Sequence, residues 1–105
     1  EENAINGTEL FPPAKETTTS CAFSHIFQGG YSAGYYSYKW AEVLEADTFE
    51  LFKETGIYNQ ETATNFLENI LSRGGSEHPM KLYKKFRGKE ASTKALLIKT
   101  GLIEA

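Results

Sequence analysis

Apolar positions along this chain fall at spacings of three and four, and no stretch alternates with period two for long enough to read as a strand. Tyr36, Trp40, Val43, Leu44 and Leu51 cluster on one side of a helical wheel at about 100° per residue. Tyr31, Tyr35 and Tyr38 stand at i, i+4 and i+7 on another side, and Glu42 and Glu45 continue their stripe. The spacing predicts a helix over 34–54 that begins between Tyr31 and Tyr35 and is closed by Gly56, a residue suited to the C′ position. A second helix is expected over 60–73. Asn59 would cap it and Glu61 would sit in its first turn. Ala63, Phe66, Leu67, Ile70 and Leu71 would form its apolar side, Arg73 would lie near its negative end, and Gly74-Gly75 would stop it.

Ser76 reads as the cap of a third helix over 77–87, with Glu77, His78 and Pro79 in its first turn and Met80, Tyr83 and Phe86 inward. Gly88 closes it, and Ser92 opens a last helix over 92–99, behind which Leu102 and Ile103 are expected to pack. The fold class that follows is all-α: one long amphipathic helix packed by two or three shorter ones. Residues 1–22 show no sustained period. Asn6-Gly7, Pro12-Pro13 and Thr17-Thr18-Thr19-Ser20 signal turns and extended chain, with Leu10 and Phe11 as anchors of this arm against a core. The organisation expected is an irregular arm over 1–22 and a helical segment over 23–105.

Composition alters this picture at one place. His25 to Trp40 holds three glycines, a histidine and four tyrosines in sixteen residues. Gly29, Gly30 and Gly34 suggest a mobile loop or a close backbone approach, and each tyrosine hydroxyl wants a partner wherever it is buried. Three phenols in register behind a glycine loop and a histidine point to a site rather than to core.

Charge removes other classes. The net charge is −3 with both signs interleaved, so neither nucleic acid nor an anionic membrane is expected as a partner. No apolar run approaches the roughly 20 residues needed to span a bilayer. The first residues contain neither a basic nor an apolar signal region, so no secretion signal is expected. The first residue is not methionine, from which we expect a processed chain or a piece of a longer one. Cys21, the single cysteine, cannot form an internal disulfide and fits a reducing compartment. It has no second histidine near it and reads as inert. Ser24 and Ser32 lack a nucleophile-elbow context, and His78 reads as structural or solvent-facing. Gly-Gly-Tyr-Ser-Ala-Gly does not follow a strand, which argues against a phosphate loop. There is no H-E-x-x-H and no metal-binding cluster, so no metal ligand is expected here. What remains is a set of hydrogen-bond donors suited to one wall of an active site.

Phe23-Ser24-His25-Ile26-Phe27 and Gly29-Gly30-Tyr31-Ser32-Ala33-Gly34-Tyr35-Tyr36-Ser37-Tyr38-Lys39-Trp40-Ala41-Glu42 closely resemble the C-terminal part of the thimet oligopeptidase family of zinc metallopeptidases. Ile70-Leu71-Ser72-Arg73-Gly74-Gly75-Ser76 and Phe86-Arg87-Gly88 extend the match, which covers about residues 20 to 105. Within the family the bacterial cytoplasmic branch is the nearer match, with peptidyl-dipeptidases next. The resemblance implies the C-terminal segment of a longer, nearly all-helical cytoplasmic peptidase that hydrolyses short peptides in a deep channel. It also implies zinc in the full-length parent, held by an H-E-x-x-H helix and a further glutamate upstream, and no peptidase activity in this segment alone. The family's histidine before the glycine loop falls on His25, its loop tyrosine on Tyr31, and its helix tyrosines on Tyr35 and Tyr38. By that resemblance Tyr38, Tyr35 and His25 are the catalytic candidates. Tyr31, Gly29, Gly30 and Gly34 are the substrate-binding ones.

The partners implied are short peptides and the rest of the parent polypeptide. Two readings from other classes stay open beside this one. One is a free-standing helical module that grips peptides without chemistry, the other a self-associating helical bundle. An H-E-x-x-H upstream in the reading frame discriminates the first reading from both.

Overall fold

Capping side chains at Asn59 and His78 open two of the helices, and left-handed glycines at Gly56 and Gly88 close two. The computed structural model describes residues 1–104, and among them there is no strand, as the spacing predicts. The chain divides into two units, residues 1–37 and 38–105.

In residues 1–37 two single turns of helix, α1 (Glu2–Ile5) and α2 (Thr19–Ala22), interrupt what the sequence marks as turn and extended chain. The carboxylate of Glu1 substitutes for the missing local cap of α2. It accepts hydrogen bonds from the Thr19 amide at 2.5 Å and from the amide and hydroxyl of Ser20. Two 3₁₀ turns follow, Ser24–Ile26 and Gly29–Tyr31. No residue of this unit is buried, and Leu10 and Phe11 are exposed rather than serving as anchors.

Residues 38–105 hold the longer helices. α3 runs Ser37–Thr55 and stops where Gly56 turns to φ +105°. Asn59 caps α4 (Gln60–Phe66), its side-chain oxygen accepting from the Thr62 amide at 2.9 Å. The helix continues as a π-helical stretch, Leu67–Leu71, in which the Ser72 amide reaches back to the Leu67 carbonyl. α5 is Pro79–Arg87, closed by Gly88 at φ +78°, and α6 is Lys94–Lys99.

Three expectations are corrected. The long helix starts at Ser37 and not near residue 34, so Tyr31 and Tyr35 do not share a helical stripe with Tyr38. Ala33 at φ +55° reverses the chain just before it, and a left-handed residue ends any right-handed helical run. The cap of α5 is His78, whose Nδ1 accepts from the Met80 amide, rather than Ser76. A residue preceding proline is pushed out of the helical region, and His78 sits at φ −57°, ψ 128°. Finally, Tyr36 (73 % exposed) and Trp40 (48 %) lie outside the core of this chain, as do Leu67, Leu71, Leu102 and Ile103. Helical spacing defines a stripe but not which stripe meets a neighbour.

The core of the second unit is Ala46, Leu82, Tyr83, Phe86 and Ala95. Edge-on rings extend it, Phe66 lying 5.9 Å from Phe52 and 5.2 Å from Phe86. Polar ties join the helices around it: Thr55 to Thr62 at 2.9 Å, Asn65 to the Phe86 carbonyl at 3.1 Å, and Lys99 to Glu45 at 2.7 Å.

Candidate functional site

The loop that precedes α3 is shaped by its own backbone. After the 3₁₀ turn that contains His25, Gln28 is extended and Gly29 takes φ +67°, a conformation that costs a side chain energy and glycine none. The Ser32 hydroxyl donates to the Phe27 carbonyl at 2.6 Å and closes the loop on itself. The Gly34 amide donates to the Tyr31 carbonyl at 2.8 Å, which folds Tyr35 back toward the segment that precedes the glycines.

The result is a cluster of rings. His25 stands 4.4 Å from Tyr31 and 5.4 Å from Tyr35, and Phe23 stands 4.9 Å from Tyr35 and 6.5 Å from His25. All four pairs are edge-on, the arrangement that places a positive ring edge on a negative face. Phe23 and Tyr35 are half-buried, while His25 and Tyr31 are exposed. The structure therefore brings together His25, Tyr31 and Tyr35. A Cβ placed on Gly29 or Gly30 would meet nothing within 4 Å, so this side of the loop is open. Tyr38 belongs to the other unit, in the first turn of α3, and is 42 % exposed. Such donors can hold a polar ligand. No nucleophile–base pair stands among them.

A second polar group, which the sequence did not suggest, lies inside residues 38–105. Asp47 on α3 is 4 % exposed and accepts a hydrogen bond from the Tyr83 hydroxyl. Burial, with the Asp47 carboxylate adding to it, pushes the Tyr83 phenol well above its ordinary range, so Tyr83 is a fixed donor. Arg87 places Nε 3.7 Å from Asp47 and forks its terminal nitrogens onto Glu54 at 3.2 and 3.4 Å. No sequence signal marks this group, because Asp47 and Tyr83 are 36 residues apart. Beside it runs an apolar groove of about 440 Å³, lined by Leu44, Phe49, Phe52, Phe66, Ile70 and Leu82 among others.

Among the described residues no group of three or more His, Cys, Asp or Glu could hold a metal ion. They do not fit the zinc of the family resembled. Among the same residues no helix is long and apolar enough to cross a membrane.

The model of peptidase family M3 matches residues 3–102. The chain is 63 % identical to oligopeptidase A of Escherichia coli over 81 residues, 77 % of this chain and 12 % of the relative. It is 48 % identical over 102 residues, 93 % of this chain, to two Arabidopsis thaliana proteins. One is described as a probable cytosolic oligopeptidase A, the other as an organellar oligopeptidase A, chloroplastic/mitochondrial; the match spans 15 % and 13 % of their lengths.

Proposed function

The chain belongs to peptidase family M3, and on that premise we propose that it is the substrate-facing C-terminal segment of a zinc-dependent oligopeptidase that hydrolyses short peptides. The observation that carries this reading is the match over residues 3–102, reinforced by the identity to oligopeptidase A. The chain spans 12 % to 15 % of the length of those relatives, so on this reading the zinc ligands and the base belong to the rest of a longer polypeptide, and these 105 residues alone cleave nothing. The compartment proposed is the cytoplasm, in keeping with the single, exposed, unpaired Cys21.

Peptide hydrolysis builds negative charge on the scissile carbonyl oxygen, and donors fixed in advance lower the barrier to that charge. Tyr38 is the residue assigned this hydrogen bond. It stands on α3, whose backbone ladder holds it in place, with its ring partly open to solvent. Tyr35 assists. His25 and Tyr31 position the peptide from the loop, where their edge-on contact at 4.4 Å fixes one ring against the other. Gly29 and Gly30 leave room for varied side chains, and Gly34 turns the chain back onto the Tyr31 carbonyl. Replacing Tyr38→Phe in the full-length peptidase removes one hydroxyl and little packing. Turnover is expected to fall about 10²- to 10³-fold with the melting temperature nearly unchanged. Near-normal kcat would show that the phenol only lines the channel, and the assignment would be wrong.

A further inference from the structure

We propose that Asp47, Glu54, Tyr83 and Arg87 form a two-point clamp that fixes the rotation of α3 and so aims Tyr38, which makes them positioning residues for the reaction. This rests on the role given to Tyr38 above. Asp47 and Glu54 are seven residues apart on α3, two turns or about 10.5 Å along the axis, and so on one face. Tyr83 and Arg87 are four apart on α5 and likewise share a face. The Tyr83 hydroxyl holds Asp47, and the Arg87 fork holds Glu54 at 3.2 and 3.4 Å. One attachment would let α3 pivot about it, whereas two separated attachments do not.

The ring contacts run from α3 to α5 by way of α4, Phe52 on Phe66 and Phe66 on Phe86, and ring pairs at 5.2 to 5.9 Å tolerate small rotations that a hydrogen bond does not. A buried polar pair adds less stability than apolar packing of equal volume, but it has direction, and fixing register is its best-attested use. The side chains of Asp47 and Arg87 are 5 % and 7 % exposed. Tyr38 precedes Asp47 by nine residues, which is about 180° around a helix. Holding Asp47 inward therefore turns Tyr38 outward, and the exposures of 4 % and 42 % agree with this. A donor aimed at a developing charge tolerates little error, since a displacement near 1 Å can cost about 100-fold in rate.

The test is a double-mutant cycle in the full-length peptidase that carries this segment, using Tyr83→Phe, Tyr38→Phe and both together. Tyr83→Phe is expected to lower kcat about 10-fold and to leave KM within about twofold, because the error falls on the transition state. In the Tyr38→Phe background the same change is expected to cost less than about twofold, since no aimed hydroxyl remains to misplace. A full additional loss in that background, or an unchanged kcat for Tyr83→Phe alone, overturns the clamp while leaving the role of Tyr38 intact. An unchanged kcat for Tyr38→Phe overturns the site reading itself. Where Tyr83→Phe does not fold, Glu54→Gln at the exposed end of the clamp serves instead. Its expected loss is about 2- to 3-fold in kcat, again absent without the Tyr38 hydroxyl, and persistence of that loss refutes the proposal.

Discussion

Residues 1–37 and 38–105 use the same contact between aromatic rings to different ends. In the second unit the rings of Phe52, Phe66, Tyr83 and Phe86 meet edge-on at 5.2 to 6.4 Å, and Tyr83 and Phe86 are sealed from water. In the first, Phe23, His25, Tyr31 and Tyr35 meet edge-on at 4.4 to 6.5 Å, yet no residue of that unit is buried. Edge-on geometry orders rings whether or not it removes them from water. Where burial is added, the rings become core. Where it is withheld, they are held in fixed relation with imidazole and phenol groups at the surface, an arrangement in keeping with the peptide-binding role proposed for this loop.

The largest expected effect tests that difference directly. Phe86→Ala removes a buried ring from the second unit and is expected to cost about 3–5 kcal/mol. Phe23→Ala removes a half-buried ring that contacts His25 and Tyr35, and about 1 kcal/mol is expected from the ring pairs it loses. Urea denaturation of the chain followed by circular dichroism measures both. Equal costs would mean that the loop cluster is core after all, and the distinction would collapse.

A smaller effect sharpens the functional side. Tyr31→Phe in the full-length peptidase keeps the ring against His25 and deletes only the hydroxyl. KM is expected to rise about 3- to 10-fold, the worth of one neutral hydrogen bond of about 0.5–1.5 kcal/mol, with kcat within about twofold. A fall in kcat equal to the fall in kcat/KM would move Tyr31 from ground-state binding to the transition state.

Local chemistry made much of the second unit legible from sequence. Asn59 caps and Gly56 and Gly88 turn left-handed as their types suggest, because each acts on its own few residues. His78 was missed as a cap although Pro79 was the available signal. The start of α3 was misplaced because Ala33 adopts φ +55°, which glycine commonly does and alanine rarely does. The aromatic cluster was legible as a set of residues but not as an arrangement. The wheel put Tyr31 and Tyr35 on one helix with Tyr38, whereas a turn and two 3₁₀ segments bring Tyr31 and Tyr35 to His25. The Asp47–Tyr83–Arg87 group left no trace in the pattern, since an aspartate at an inward helical position looks the same as one at the surface until its partner is known.

The smallest effect concerns acid, and it separates the polar ties of the second unit from its apolar core. Glu77, just ahead of α5, accepts from Lys85 at 2.7 Å and pairs with Lys81 at 2.9 Å. Hydrogen bonds from Lys85, then from Lys81, bring its carboxyl down from 4.5 to about 2. A carboxyl depressed by folding is charged in the native state where the unfolded chain would already bind a proton. Its contribution is therefore fully present above pH 4.5 and is lost as pH falls from there toward about 2. Glu77 is solvent-accessible, so the contribution is small and screened by salt. Wild type and Glu77→Gln are compared by urea denaturation at pH 6 and pH 3, in low and high salt. The gap between them is expected to narrow at pH 3 and in high salt, while the gap between wild type and Phe86→Ala holds at both. A Glu77→Gln gap that is the same at both pH values would show that these lysines do not hold the carboxylate in solution.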